Sequence, residues 1–180
     1  MIEKLLKSTA LKYAAIVALP LLALFYSPLQ NFTILALGER VLLETEPVDP
    51  RDFLRGDYVM LDYKISDVDK NIPLKSLKSL EGYEGTIEVC VSLARDADGI
   101  GTVSAISVSR PSDGLYLKGF LDYSDYSWRS SYSIEYGLGV YYVPEGTGRD
   151  LELAVREGKV LADVRVLNGH GVLKGLEIVE

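Results

Sequence analysis

Ser27, Cys90 and His170 are the residues whose types suit a nucleophile or a base, and their isolation from one another limits the chemistry they can do. Cys90 is the only cysteine and His170 the only histidine, which excludes an internal disulfide and leaves a four-ligand zinc site without side chains. A serine hydroxyl attacks only beside a base, and no segment downstream of Ser27 supplies an unambiguous one. His170 lies between Gly169 and Gly171 without a neighbouring carboxylate or serine, the setting of an exposed turn residue. Cys90 alternates with Ile87, Val89, Val91 and Leu93, a pattern that suits a packed strand thiol better than a reactive one.

Carboxylates offer a second kind of chemistry. Asp96-Ala97-Asp98-Gly99 opens like a calcium loop, but the remaining ligand positions and the closing glutamate are missing, so a hairpin turn is the expectation. Asp49, Asp52, Asp57, Asp62, Asp67 and Asp69 form a locally acidic region of the kind that collects a divalent cation, and solvated turn carboxylates explain them equally well. Neither a metal nor a cofactor is expected. A third possibility is a contact surface. Tyr123, Tyr126, Trp128 and Tyr132 are set among Ser, Asp and Arg, the mixture found where rings meet a partner, a glycan or the headgroup region of a membrane. Core aromatics of a β-domain are the alternative reading of the same residues.

The elements that must position these residues begin with an apolar stretch. From Tyr13 to Leu29 the chain carries no charge, and Lys4, Lys7 and Lys12 precede it, which fits a short membrane span with residues 1–12 in the cytoplasm. Leu24-Phe25-Tyr26-Ser27-Pro28 is bulky where a signal peptidase needs small side chains, so a retained anchor is expected rather than a cleaved leader. Pro20 reads as a tolerated membrane proline.

Residues 33–180 then read as one extracytoplasmic domain. Thr33 to Thr45 is strand-like, with Gly38 at a bulge or bend. Tyr58 to Ile65 places Val59, Leu61, Tyr63 and Ile65 on one face and Tyr58, Met60 and Asp62 on the other, which suggests a strand covered on both sides. Glu84 to Ala94 and Thr102 to Ser109 make a hairpin, and Leu115 to Tyr123 and Tyr132 to Val143 are further strands. Gly148 to Gly158 changes to a helical period with Gly158 as its C-cap, and Lys159 to Val179 is strand, turn, strand around Asn168-Gly169. The tally is about eight strands with one or two short helices, a mostly-β sandwich or open barrel. A chain of 180 residues with 48% apolar content supports one such domain plus the anchor. The net charge of −7 and pI of 4.8, without a Lys or Arg cluster, argue against a nucleic-acid partner.

The segment Gly56-Asp57-Tyr58-Val59-Met60-Leu61-Asp62-Tyr63, entered through Arg51, Asp52 and Arg55, resembles the motif that names the GDYXXLXY family of membrane-anchored proteins. Tyr141-Tyr142-Val143-Pro144-Glu145-Gly146 resembles the family's other signature, so the resemblance covers roughly Leu35 to Glu180. It implies no particular reaction. What it does imply is an accessory protein working beside a multi-span membrane protein, engaged through the anchor and the motif loop. The motif residues Arg51, Asp52, Arg55, Gly56, Asp57, Tyr58, Leu61, Tyr63, Pro144, Glu145 and Gly146, with Trp128, are the candidate interaction residues. A rigid strand-turn-strand, with Arg51, Asp52, Arg55 and Asp57 ion-paired and Tyr58 and Tyr63 in the core, is the competing explanation of the motif. Serine signal peptidases also place a strand with an Arg-Gly-Asp start soon after an anchor. Here Pro28 follows Ser27 where that family has methionine, and its lysine-bearing strand has no counterpart.

Overall fold

The computed structural model describes residues 9–46, 58–69, 71–75, 85–122, 131–143, 151, 153–155 and 157–179. One helix, α1 (Thr9–Leu37), leads into a mostly-β domain of barrel-like character. The helix does not stop at Leu29, and Thr33 to Leu37 is not strand. A short apolar run fits either state, and here the helical ladder wins because Ile34 is buried against the domain while the Thr33 hydroxyl donates to the Leu29 carbonyl at 2.8 Å. Pro20 and Pro28 both lie inside α1. Gly38 is the bend of the expectation rather than a strand bulge; its N–H closes the last helical turn on the Ile34 carbonyl at 2.8 Å. A side chain there would collide with that same carbonyl, so the close approach requires glycine.

The strands follow in order: β1 (Glu39–Glu46), β2 (Tyr58–Met60), β3 (Asp62–Tyr63), β4 (Asp67–Asp69), β5 (Leu74–Lys75), β6 (Thr86–Arg95), β7 (Gly101–Ser107), β8 (Leu115–Asp122), β9 (Ser131–Glu135), β10 (Val140–Tyr142), β11 (Val160–Leu167) and β12 (His170–Ile178). They form sheets of order β12-β11-β1-β3 and β4-β9-β8-β6-β7-β5, with β10-β2 as a separate two-stranded ribbon. The larger sheets are tied across their edges. A bridge joins Leu42 to Ile100, and the Lys118 N–H donates to the Gly169 carbonyl at 2.8 Å. Between them lies the core, filled by Val41 and Leu43 of β1, Val89 and Val91 of β6, Leu117 and Leu121 of β8, and the inward side of β11. This is the open-barrel alternative of the expected fold.

The hairpin expectations hold. β6 and β7 pair antiparallel around Asp96 to Gly99, and β11 and β12 pair around Asn168 and Gly169, whose φ values of 53° and 83° are those of a type I′ turn. Gly158, at φ 67°, closes the helical residues 151 and 153–155 as expected. Two strand expectations need correction. Tyr58 to Ile65 divides into β2 and β3, which belong to different sheets, and its Val59, Leu61, Tyr63 and Ile65 face is buried while Met60 and Asp62 on the other are exposed. Tyr132 to Val143 divides into β9 and β10, because Gly137 takes a φ of 69° that breaks an extended run.

Candidate functional site

The two segments that carry the family resemblance are hydrogen-bonded to each other. β2 and β10 run antiparallel with Tyr58 opposite Tyr142, Val59 opposite Tyr141 and Met60 opposite Val140. Period-two alternation then divides the ribbon into an inner face and an outer face. Val59 points into the core and is buried, with Tyr141 partly buried beside it. The outer face holds Met60 at 47% exposure, Val140 at 46% and Tyr142 at 79%, with Tyr58 partly covered. The Tyr58 and Tyr142 rings sit 6.3 Å apart between centroids and tilted by 58°, within the range of a favourable aromatic pair. A contiguous apolar strip thus faces outward from strands of three residues each.

Below the strip, the motif is fixed by buried hydrogen bonds. The Leu61 N–H donates to the Gly139 carbonyl at 2.9 Å, extending the ribbon by one position. The buried Tyr63 hydroxyl donates to the Leu138 carbonyl at 2.8 Å, and Tyr136 donates likewise to Ile65 at 2.8 Å. Burial pushes both phenols above their ordinary range, with nearby Asp62 adding to the effect at Tyr63, so both are held as neutral donors. Tyr63 and Leu61 are thus the rigid base of the site and Tyr58 belongs to its surface. The expectation that Tyr58 and Tyr63 both fill the core holds for Tyr63 alone.

A concavity of about 380 Å³ adjoins the base of the ribbon, with Asp62, Asp67 and Glu135 and the hydroxyls of Ser66 and Ser133 among its walls. Among the described residues no group of three His, Cys, Asp or Glu side chains is arranged to hold a metal ion. Elsewhere Asp96 accepts the Asp98 and Ile100 N–H groups at 3.0 and 2.8 Å, which makes it the brace of a hairpin turn. Asp69 does the same for Asn71 at 2.7 Å, and Asp62 for Tyr63 at 2.8 Å. Cys90 is buried, and burial raises its thiol pKa. Ser27 lies exposed on α1, and the cavity where His170 meets that helix is lined by Tyr26 and Leu29 and not by Ser27.

Of the candidate interaction residues, Tyr58, Leu61 and Tyr63 meet at this site. Arg51, Asp52, Arg55, Gly56, Asp57, Trp128, Pro144, Glu145 and Gly146 lie outside the described residues. Sequence reasoning passed over Met60 and Val140. The available signal was alternation: Tyr58 and Met60 in one signature, and Tyr142 in the other with Val140 just before it, put large apolar groups on matching phases of two strands.

A family model described as GDYXXLXY protein matches residues 20–176. No curated protein and no solved structure matches the chain.

Proposed function

The chain belongs to the GDYXXLXY family, and from that premise we propose that it is a membrane-anchored accessory protein whose β2–β10 ribbon docks a multi-span membrane partner outside the cytoplasm. The observation that carries the reading is the ribbon's outer face, where Met60, Val140 and Tyr142 are exposed side by side. Solvent-facing strand positions are ordinarily polar, and a rimmed apolar strip marks a contact surface. Both signatures of the family contribute to that strip, which explains why two segments far apart in sequence form one pattern.

The anchor in this reading is α1, long and apolar enough between Lys12 and Leu37 to cross a membrane by length and composition. Lys4, Lys7 and Lys12 before it favour an amino terminus in the cytoplasm and a domain outside. β1 continues directly from the helix, and its far end pairs Thr45 with Tyr63 and Glu46 with Asp62. Six residues of extended chain, from Glu39 to Thr45, raise the motif about 20 Å above the helix end. The ribbon therefore faces a partner's external loops or domain rather than its transmembrane part.

The test is to extract the tagged full-length protein from its own membrane in mild detergent and identify what accompanies it in stoichiometric amount. A multi-span protein that is lost from a Met60→Ser/Tyr142→Ser variant of unchanged stability is the expected outcome. A partner retained by that variant contradicts docking through the ribbon.

A further inference from the structure

The domain does not hang from the end of α1; it reaches back along it. At the level of Gly38, a side chain on that residue would press on the Val166 amide and the Arg165 Cβ, so β11 passes beside the helix end. Two residues further, the β11–β12 turn lies against the preceding helical turns. Tyr26, Leu29, Gln30 and Thr33 of α1 and Asn168 and His170 of the turn border one cavity of about 270 Å³.

The length of α1 sets where that cavity falls. A helix of 29 residues is about 43 Å long, whereas a hydrocarbon core of about 30 Å needs about 20 residues. Counted from Lys12, the last charge before the apolar run, the core ends near Gln30 and Asn31, the first amide side chains of the helix. Tyr26 and Leu29 then border the hydrocarbon, and Gln30, Thr33, Asn168 and His170 stand in the headgroup layer. Ile34 and Leu167 complete the lining, so the wall is mixed, with Gln30, Thr33, Asn168 and His170 as its hydrogen-bonding members.

A cation that itself borders a neighbouring concavity, Arg110, is tied to the cavity's polar lining through Asn168. The Arg110 guanidinium donates to the Asn168 side chain at 3.2 Å and sits 5.7 Å from the centre of the Tyr116 ring. Among the described residues Arg110 makes no ion pair, while the nearby Lys118 is neutralised by Glu88 at 2.6 Å. A guanidinium held by stacking and one amide bond, next to amide and imidazole donors, matches a phosphate monoanion.

We propose that the cavity between α1 and the β11–β12 turn receives the glycerophosphate end of an anionic phospholipid, with Arg110, Asn168 and His170 as donors and Tyr26 and Leu29 against the acyl chain. This rests on the membrane-anchored reading above and adds to it a fixed seat on the bilayer. The probe is the full-length protein in nanodiscs of phosphatidylcholine, with and without phosphatidylglycerol. Nitroxide labels go on Leu22→Cys, His170→Cys and Leu153→Cys in a Cys90→Ser background, and their collisions with oxygen and with an aqueous nickel chelate are compared. The expected result is a label at 22 in hydrocarbon, one at 170 at interfacial depth and one at 153 in water. A label at 170 as wet as that at 153, with 22 still in hydrocarbon, overturns this inference alone. A wet label at 22 overturns the anchored reading beneath it. Phosphatidylglycerol is expected to raise the unfolding temperature of the unlabelled protein and to lose that effect in Arg110→Gln; an equal shift in both, or in neither, overturns the phosphate assignment.

Discussion

The β2–β10 ribbon and the β11–β12 hairpin are both antiparallel pairs of strands, and they use their outward faces in opposite ways. In the hairpin, Val160, Ala162, Val164 and Val166 are buried, while Asp163, Arg165 and Glu177 lie on the other side. There Arg40 bridges Asp163 at 3.0 Å and also bonds Glu177. In the ribbon the inner face is apolar too, but the outward positions are Met60, Val140 and Tyr142. The hairpin closes its outward side with charged pairs over the buried Asp163. The ribbon keeps its apolar groups uncovered at the cost of easy solubility, which is sensible only if something covers them. Length sharpens the contrast, since β11 and β12 pair over eight positions and the ribbon over three. So short a pair does not stabilise itself; its place is fixed by Leu61 and Tyr63, which bond to Gly139 and Leu138 below it.

That contrast can be broken by mutation, the largest effects coming from the region built for stability. Leu43→Ala, at a fully buried β1 position, is expected to cost about 3 to 4 kcal/mol in urea unfolding of the detergent-solubilised protein. Gly169→Ala is next, at about 2 kcal/mol or more, because the hairpin turn needs its positive φ and a side chain there would meet the Tyr116 ring. Tyr63→Phe removes the bond to Leu138 and leaves a buried carbonyl unpaired, a loss of about 1 to 2 kcal/mol. Tyr63→Phe also carries a pH signature. Burial holds the Tyr63 and Tyr136 phenols above their ordinary value near ~10. Their contribution is intact below about pH 10 and is lost as pH rises past it, so the alkaline unfolding limb of Tyr63→Phe is shallower than that of the native protein. Smaller still on stability is Tyr142→Ala, expected within about 0.5 kcal/mol of the parent while partner binding falls. Ser27→Ala is expected to change neither stability nor partner binding, and a lost activity in that variant would point to a hydrolase instead.

The hairpins were legible in the sequence because alternation and the Asn168-Gly169 pair act over a few residues. Gly158 as a helix stop was legible for the same reason, a local need for positive φ. The helix end was not. Thr33 to Leu37 has a composition that suits either helix or strand, and the burial of Ile34 by β11 and β12, which decides the matter, comes from residues more than a hundred positions away. The ribbon was half legible. Each signature can be seen as a strand by itself, but their pairing is a long-range contact between residues 58–60 and 140–142, and only that contact turns Met60 and Val140 into neighbours. A two-faced apolar pattern in Tyr58 to Asp62 reads naturally as a strand covered on both sides. Sequence carries no sign that the second cover is absent from the domain itself.

The central claim is that the ribbon is where the partner sits. Its most direct test is photo-crosslinking in living cells from p-benzoylphenylalanine placed at Tyr142, with the same probe at Lys174 on β12 as the control. Crosslinking of position 142 to one multi-span membrane protein, with no such adduct from position 174, is the predicted result. No adduct at 142, or the same adducts from both positions, would contradict it.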